Sequence, residues 1–242
     1  MTRRDAVIWP GAGDPERYRG PVSDGPPAAF LSDVPKEFHE LGVVRRFNRG
    51  TFLILEGDRS DHVLVIRSGR LKIVRTTADG RETLVAVRSP GELVGELNVL
   101  ATTEGLRAAS VIALDDVVVQ TIPAAEFLHF VEHHAAVSFA LLRQIAARLR
   151  ESTSRHADAG GYDVLHRLAR ALVEEAERNG EDVDGGTVVG TGLSQQDLAG
   201  LVAASPKSVG RSLAVLRSRG LISTGRRSIV IHDLDGLRRF AP

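Results

Sequence analysis

The spacing of apolar residues changes once along this chain, at Pro123, and that change constrains the fold more than any other feature. From Val43 to Ile122 the apolar residues come in short runs cut by turn residues, as in TFLILEGDRSD, HVLVIRSG, RLKIVRTTADGRETLVAV and ASVIALDDVVVQTI. LKIVRT and ETLVAV flank Asp79-Gly80, a pair suited to a tight hairpin turn. Several short strands at regular spacing, with no helix among them, predict an antiparallel sandwich or barrel-like roll. Beyond Pro123 the apolar residues recur every three or four positions, as on a helix face. Strands first and helices afterwards place the chain in the α+β class.

Four segments follow. Residues 1–29, rich in Gly, Pro and charge, read as a flexible N-terminal arm. Residues 30–134 form the roll with its flanking helices. FLSDVPKEFHELG spaces Phe30, Val34, Phe38 and Leu41 about one turn apart, which predicts a short helix at the entry, and PAAEFLHFVEHH predicts another at the exit. Residues 135–159 are a long helix on which Ala135, Ser138, Leu142, Ile145, Leu149, Ser152 and His156 alternate steps of three and four. Such a stripe either pairs with a second copy of the chain or packs on the chain's own roll; the first is expected, making a homodimer. Gly160-Gly161 reads as a hinge into the last segment, 160–242, where DVLHRLARALVEEAERNG forms an amphipathic helix ending at Asn179-Gly180.

The last segment carries the charge asymmetry. Lys+Arg and Asp+Glu each total 31, so the chain is formally neutral. Yet Leu198 to His232 holds Lys207, Arg211, Arg217, Arg219, Arg226 and Arg227 and no acidic residue, whereas Glu174 to Asp184 is acidic. A basic patch in a neutral chain points to a local polyanion site. LSQQDLAGLVA opens with Ser194 at an N-cap position and Asp197 three residues on, a capping-box pattern. After a tight turn at Ala203-Ala204, Ser205 is the next N-cap, and Pro206 takes the first helical position, where its missing N–H costs nothing.

Two short helices joined this way form a helix-turn-helix, whose second helix meets base edges in the major groove of double-stranded DNA. Lys207 and Arg211 can donate to guanine, while Ser194, Gln195 and Ser208 suit phosphates. RGLISTGRRSIVIHD then supplies two short strands around Arg226 and Arg227, a basic-tipped wing. The plainer alternative is a solvated basic face.

A second stretch, PGELVGELNVLATTEGLRAASVIAL, offers a site for a small anion. Gly95 allows close backbone approach, Glu96 could accept from a sugar hydroxyl, and Arg107 is embedded among apolar neighbours. An arginine entering an apolar strand needs an anion or a carboxylate partner. A phosphate would serve, and so would an ion pair with Glu96 or Glu104.

With EGD at 56–58, SG at 68–69, GEL at 95–97 and VGRSL at 209–213 in this order, the region from about residue 30 to 240 resembles the bacterial Crp/Fnr regulators. The resemblance implies an N-terminal antiparallel β-roll of the cyclic-nucleotide-binding type, a long dimerisation helix and a C-terminal winged helix-turn-helix. It implies a transcription regulator under allosteric control by cyclic AMP, without a prosthetic group, on a pseudo-palindromic site, with RNA polymerase as a further partner. Gly95, Glu96, Leu97, Arg107 and Ala108 would hold the ribose and cyclic phosphate, and Ser152-Thr153 would reach the base across the dimer. Ser205, Pro206, Lys207, Ser208 and Arg211 occupy the reading-helix positions.

This chain departs from the family pattern in several places. Ala108 replaces a serine, and the loop NVLATTEGL is slightly longer. Pro206 and Lys207 replace a base-reading arginine and glutamate, implying a different half-site. Ala203 stands where the family's turn has glycine, so a positive φ there would carry about 1 kcal/mol of strain.

Other readings weigh less. A regulator of the same fold could take a different ligand, or none. His129, Glu132 and His133 spell HxxEH, a zinc-hydrolase pattern, but no clear third ligand accompanies it. Haem on His39, His62 or another histidine has no positive signal. The absence of cysteine excludes disulfides, thiolate zinc sites, Cys-ligated iron–sulfur clusters and Cys nucleophiles, and fits a cytoplasmic protein. No apolar run approaches a membrane span, and the opening residues lack the apolar core of a secretory signal.

Overall fold

The computed structural model describes residues 30–241 apart from 60, 79, 102–105, 184, 190, 191 and 226. The arm at 1–29, Asp79, Glu104 and Arg226 therefore lie outside the described residues. The strands are β1 (Val43–Phe47), β2 (Phe52–Ile54), β3 (His62–Ser68), β4 (Leu71–Thr76), β5 (Glu82–Arg88), β6 (Leu93–Val94), β7 (Ser110–Ala113) and β8 (Val117–Pro123), followed by β9 (Glu181–Val183), β10 (Gly186–Val189), β11 (Ile222–Gly225) and β12 (Ser228–Ile231). The helices are α1 (Glu96–Leu100), α2 (Ala124–His133), α3 (Ala135–Gly161), α4 (Val164–Asn179), α5 (Gln195–Leu201), α6 (Pro206–Ser218) and α7 (Leu234–Arg238).

The first eight strands form two antiparallel four-stranded sheets, in the orders β1-β8-β3-β6 and β2-β7-β4-β5. Leu53, Leu64, Ile66, Leu71, Val94 and Val119 fill the space between them. Alternation along β3 sends Leu64 and Ile66 inward while Val63 and Val65 face outward. The outward pair is covered by Phe30, Phe38, Phe127 and Phe130, so α2 and the entry segment seal the sheet's second face. β4 and β5 pair across the expected hairpin, with Thr76 opposite Glu82. The entry segment is not the expected helix. A five-residue 3-10 helix runs from Lys36 to Glu40, directly after Pro35. Proline disfavours helical geometry in the residue before it, so the turns containing Phe30 and Phe38 cannot join.

In the long helix the roll-facing residues are Val137, Ala140, Leu141 and Gln144. The stripe anticipated from sequence faces away: Leu142 is 61 % and Leu149 is 66 % exposed, as is Phe139 at 63 %. The helix also continues through Gly160 and Gly161 and breaks at Tyr162, so the hinge falls later than the glycine pair. Nothing crowds either glycine, and the break comes where the Asp163 side chain accepts from the His166 amide to start α4. α4 ends at Asn179 as expected, but Gly180 has φ −69. Space, not a left-handed cap, requires glycine there, since a Cβ would fall 2.4 Å from the Ala176 carbonyl oxygen.

The C-terminal domain packs α4, α5, α6 and α7 against a third sheet, in the order β11-β12-β10-β9. The β9–β10 hairpin, not foreseen from sequence, widens the wing's sheet. Leu168, Leu172, Leu198, Val209, Leu213 and Leu216 form its core, which continues into Val74, Leu84, Ile112 and Leu114 of the roll.

Ala203, in the turn between α5 and α6, has φ +48. Ala203→Gly should therefore raise the free energy of unfolding by about 0.5–1 kcal/mol in urea titrations. A drop in stability would mean that the turn is unstrained.

Candidate nucleotide pocket and nucleic-acid interface

The pocket begins at Gly95, which has φ +91 and caps α1. A Cβ there would lie 2.9 Å from Nη1 of Arg107. The close approach that makes glycine necessary is therefore to the protein's own arginine. Arg107 is 3 % exposed. It donates from Nη1 to the Gly95 carbonyl at 2.9 Å and from Nη2 to the His62 carbonyl at 2.5 Å. Burial lowers its basicity, and Asp61 and Glu96 pull it back.

Glu96 is 1 % exposed. Its Oε1 accepts from Nη1 of Arg148, on the long helix, at 2.5 Å. The partner of Glu96 is thus an arginine that sequence reading passed over, because Arg148 lies off the apolar stripe. Arg148 also donates to the Leu93 carbonyl at 2.6 Å. Asn98 was missed as well. Its side chain donates to the Leu106 carbonyl and accepts from the Ala108 amide, joining α1 to the strand that returns Arg107. Leu97 is 60 % exposed, and Ala108 is exposed too.

One turn beyond Arg148, Ser152 is exposed on α3 and helps line a cavity of about 310 Å³, together with Val85 and Ala86 of β5. Thr153, beside it, donates its hydroxyl to the Leu149 carbonyl at 2.8 Å. The structure thus gathers Gly95, Glu96 and Arg107 into one buried cluster, and Arg148 links that cluster to the cavity bearing Ser152.

The helix-turn-helix forms as its caps require. Ser194 and Asp197 make a complete capping box at α5, and Ser205 accepts from the Ser208 amide at the start of α6, with Pro206 in its first turn. The capping box uses the Ser194 hydroxyl, which donates to Asp197 at 2.7 Å and accepts from its amide at 3.1 Å. The hydroxyl anticipated as a phosphate donor is thus committed to starting α5. Gln195, Ser205, Pro206, Lys207 and Arg211 are exposed, and Ser208 is half-buried.

The basic residues separate by role. Arg217 donates to Thr224 of β11 at 2.8 Å, and Arg219 lies over the Phe240 ring at 4.7 Å. Both fasten α6 to its own domain. Lys207 and Arg211 stay on the open face near the helix start. Arg227 follows β11 in a left-handed conformation, φ +61.

The HxxEH residues His129, Glu132 and His133 sit exposed on α2, with His133 bonded to the His129 carbonyl. Among the described residues no group of three or more His, Asp or Glu is gathered as a metal site, and no helix is long and apolar enough to cross a membrane.

A double-sheet roll joined by a long helix to a winged helix-turn-helix defines a DNA-binding regulator with a ligand-binding domain. Residues 44–134 match the cyclic nucleotide-binding domain family, and residues 166–240 match the Crp-like helix-turn-helix domain family. The CRP-like cAMP-activated global transcriptional regulator of Mycobacterium tuberculosis is 33 % identical over 195 residues, covering 81 % of this chain and 86 % of that protein. A CRP-family transcriptional regulator from Thermus thermophilus superposes with a TM-score of 0.68 at 26 % identity, covering 81 % of this chain and 95 % of that one. The c-di-GMP responsive regulator CLP of Xanthomonas campestris shares the fold, with a TM-score of 0.71 at 22 % identity, covering 81 % and 96 %. The chain belongs to the Crp/Fnr family of bacterial transcription regulators.

His62, whose carbonyl holds Arg107, generates a pH prediction. Burial lowers its pKa to about 4, Arg107 and Arg45 add to this, and Asp61 opposes it. Between pH 6.5 and 4 the unfolded chain binds the proton and the folded chain does not, so stability falls as pH falls through that window. Urea unfolding should lose up to about 3 kcal/mol from this residue alone. His62→Gln should remove that part of the slope, and parallel slopes would show that His62 titrates normally.

Proposed function

We propose that this chain is a homodimeric, sequence-specific DNA-binding transcription regulator whose DNA affinity is set by cyclic AMP in the roll. The observation that carries this reading is the convergence of Gly95, Glu96 and Arg107 with Arg148 and Ser152 of the long helix. The Gly95 and His62 carbonyls supply fixed acceptors that orient the Arg107 guanidinium plane. A planar fork oriented in this way suits a cyclic phosphate, whose oxygens can take two parallel N–H bonds. Glu96, held by Arg148, accepts from the ribose hydroxyl, and Leu97 and Ala108 border the sugar. Ser152 and Thr153 meet the base.

Because the ligand touches both the roll and α3, it has the differential contacts that a conformational switch requires. The exposed Phe139, Leu142 and Leu149 support pairing of α3 with its copy. The two reading helices then meet major grooves about one DNA turn apart. The M. tuberculosis relative is described as cAMP-activated, which favours this nucleotide. RNA polymerase is the expected partner of the DNA-bound dimer.

Two tests address the two ends of the molecule. Calorimetry on the full chain should show cyclic AMP binding, with cyclic GMP weaker. Arg107→Lys keeps the charge but loses the planar fork, so it should weaken cyclic AMP by roughly tenfold or more. Unchanged affinity would overturn the pocket assignment. At the other end, Lys207→Ala and Arg211→Ala should each relax selection at one base position of the half-site by about 1–3 kcal/mol. Binding-site selection showing equal loss on all sequences would make them phosphate contacts instead.

A further inference from the structure

The helix-turn-helix is seated directly on the roll. Gly200, in the last turn of α5, lies so close to β5 that a Cβ there would be 2.7 Å from the Leu84 amide nitrogen and 2.9 Å from its carbonyl oxygen. Glycine inside a helix costs about 1 kcal/mol relative to alanine, so the close approach is what explains it. Lys72 of β4 pairs with Asp197 at 3.1 Å. That carboxylate also completes the capping box, so one side chain both starts α5 and ties it to the roll. Arg70 of the roll pairs with Glu175 of α4 at 2.7 Å, and the apolar core runs unbroken across the boundary.

The cavity beside Ser152 lies in this seam. Val85 and Ala86 of β5 form one wall, Arg148 and Ser152 of α3 a second, and Gly200 and Leu201 of α5 a third. Arg148 is also the residue that holds Glu96. The cavity therefore opens from the proposed ribose site directly onto the first helix of the DNA-binding motif. From Arg148 to His156, which also lines it, α3 covers about 12 Å.

We propose that α5 closes the base end of the ligand site within the same chain, so that a bound nucleotide is shared surface between the roll and the DNA-binding domain. This rests on the nucleotide reading given above. Reciprocity then fixes the energetics: whatever α5 adds to ligand affinity, the ligand returns as tighter seating of α5 on β5, by the same factor. The seam couples ligand to DNA without passing through the dimer.

Gly200→Ala is the informative change, because alanine favours the helix itself and any loss must come from the seam. Scanning calorimetry of the full chain without nucleotide should show one unfolding transition for the wild type and two for Gly200→Ala. Lys72→Gln, which leaves the helix-turn-helix sequence intact, should separate them partly. Cyclic AMP affinity should fall by roughly fivefold or more in Gly200→Ala, although the residue is remote from Arg107, and added cyclic AMP should draw its two transitions together.

One transition and wild-type affinity in both variants would overturn the proposal. Two transitions with unchanged cyclic AMP affinity would overturn the ligand wall while establishing the seam as a domain contact. If the wild type binds no cyclic AMP at all, the nucleotide reading fails and the wall fails with it. A split transition in Gly200→Ala would still report the seam separately.

Discussion

The arrangement of this molecule depends on the contact between Glu96 and Arg148. A carboxyl group almost wholly removed from water needs a cation and hydrogen bonds to stay there. Here the cation comes from the long helix, more than fifty residues later in the chain. The same guanidinium bonds the Leu93 carbonyl, so α1, the end of β6 and α3 are fastened at one point. Gln144, one turn earlier on α3, accepts from the Leu93 amide at 3.0 Å and extends that attachment. The roll cannot shift along the long helix without breaking a buried polar cluster. A helix held this firmly on one face can leave Leu142 and Leu149 exposed on the other.

Charge continues the attachment towards the DNA-binding domain. Arg88 of β5 reaches Glu151 at 3.2 Å, and Arg155 pairs with Glu151 while donating to the Val85 carbonyl at 2.7 Å. Burial raises the Glu151 carboxyl, but Arg155, Arg88 and Arg178 outweigh it and hold it below the usual carboxylate range. Because Arg178 belongs to α4, this one carboxylate gathers cations from the roll, the long helix and the DNA-binding domain. Together with the shared apolar core, this leaves little independence between the two halves.

Features set by local chemistry were legible in the sequence. Ser194, Asp197, Ser205 and Pro206 announce two helix starts because capping needs those residue types within three positions. The alternation in HVLVIRS marks a strand for a similar local reason. What was not legible depends on distant contact. Arg148 has no local signal, because its partner is fixed only when α3 lies against α1. Gly200 looks like a weak spot in a helix until β5 is placed beneath it. The basic count of α6 was readable but not its division, since Thr224 and Phe240 claim Arg217 and Arg219 only after the wing and C-terminus pack. The entry helix failed because Pro35 outweighs the spacing of Phe30 and Phe38, although both rings reach the core.

The start of α6 has a consequence for how it can approach any polyanion. Helix beginnings usually offer unpaired amide hydrogens, which grip phosphates without regard to sequence. In α6 that supply is largely removed: Pro206 has no amide hydrogen, the Ser208 amide is bonded to the Ser205 hydroxyl, and the Val209 amide to the Ser205 carbonyl. Backbone grip is thereby exchanged for side-chain contact through Lys207 and Arg211. The helix is left with little general adhesiveness, and what it holds, it holds by the chemistry of two cations.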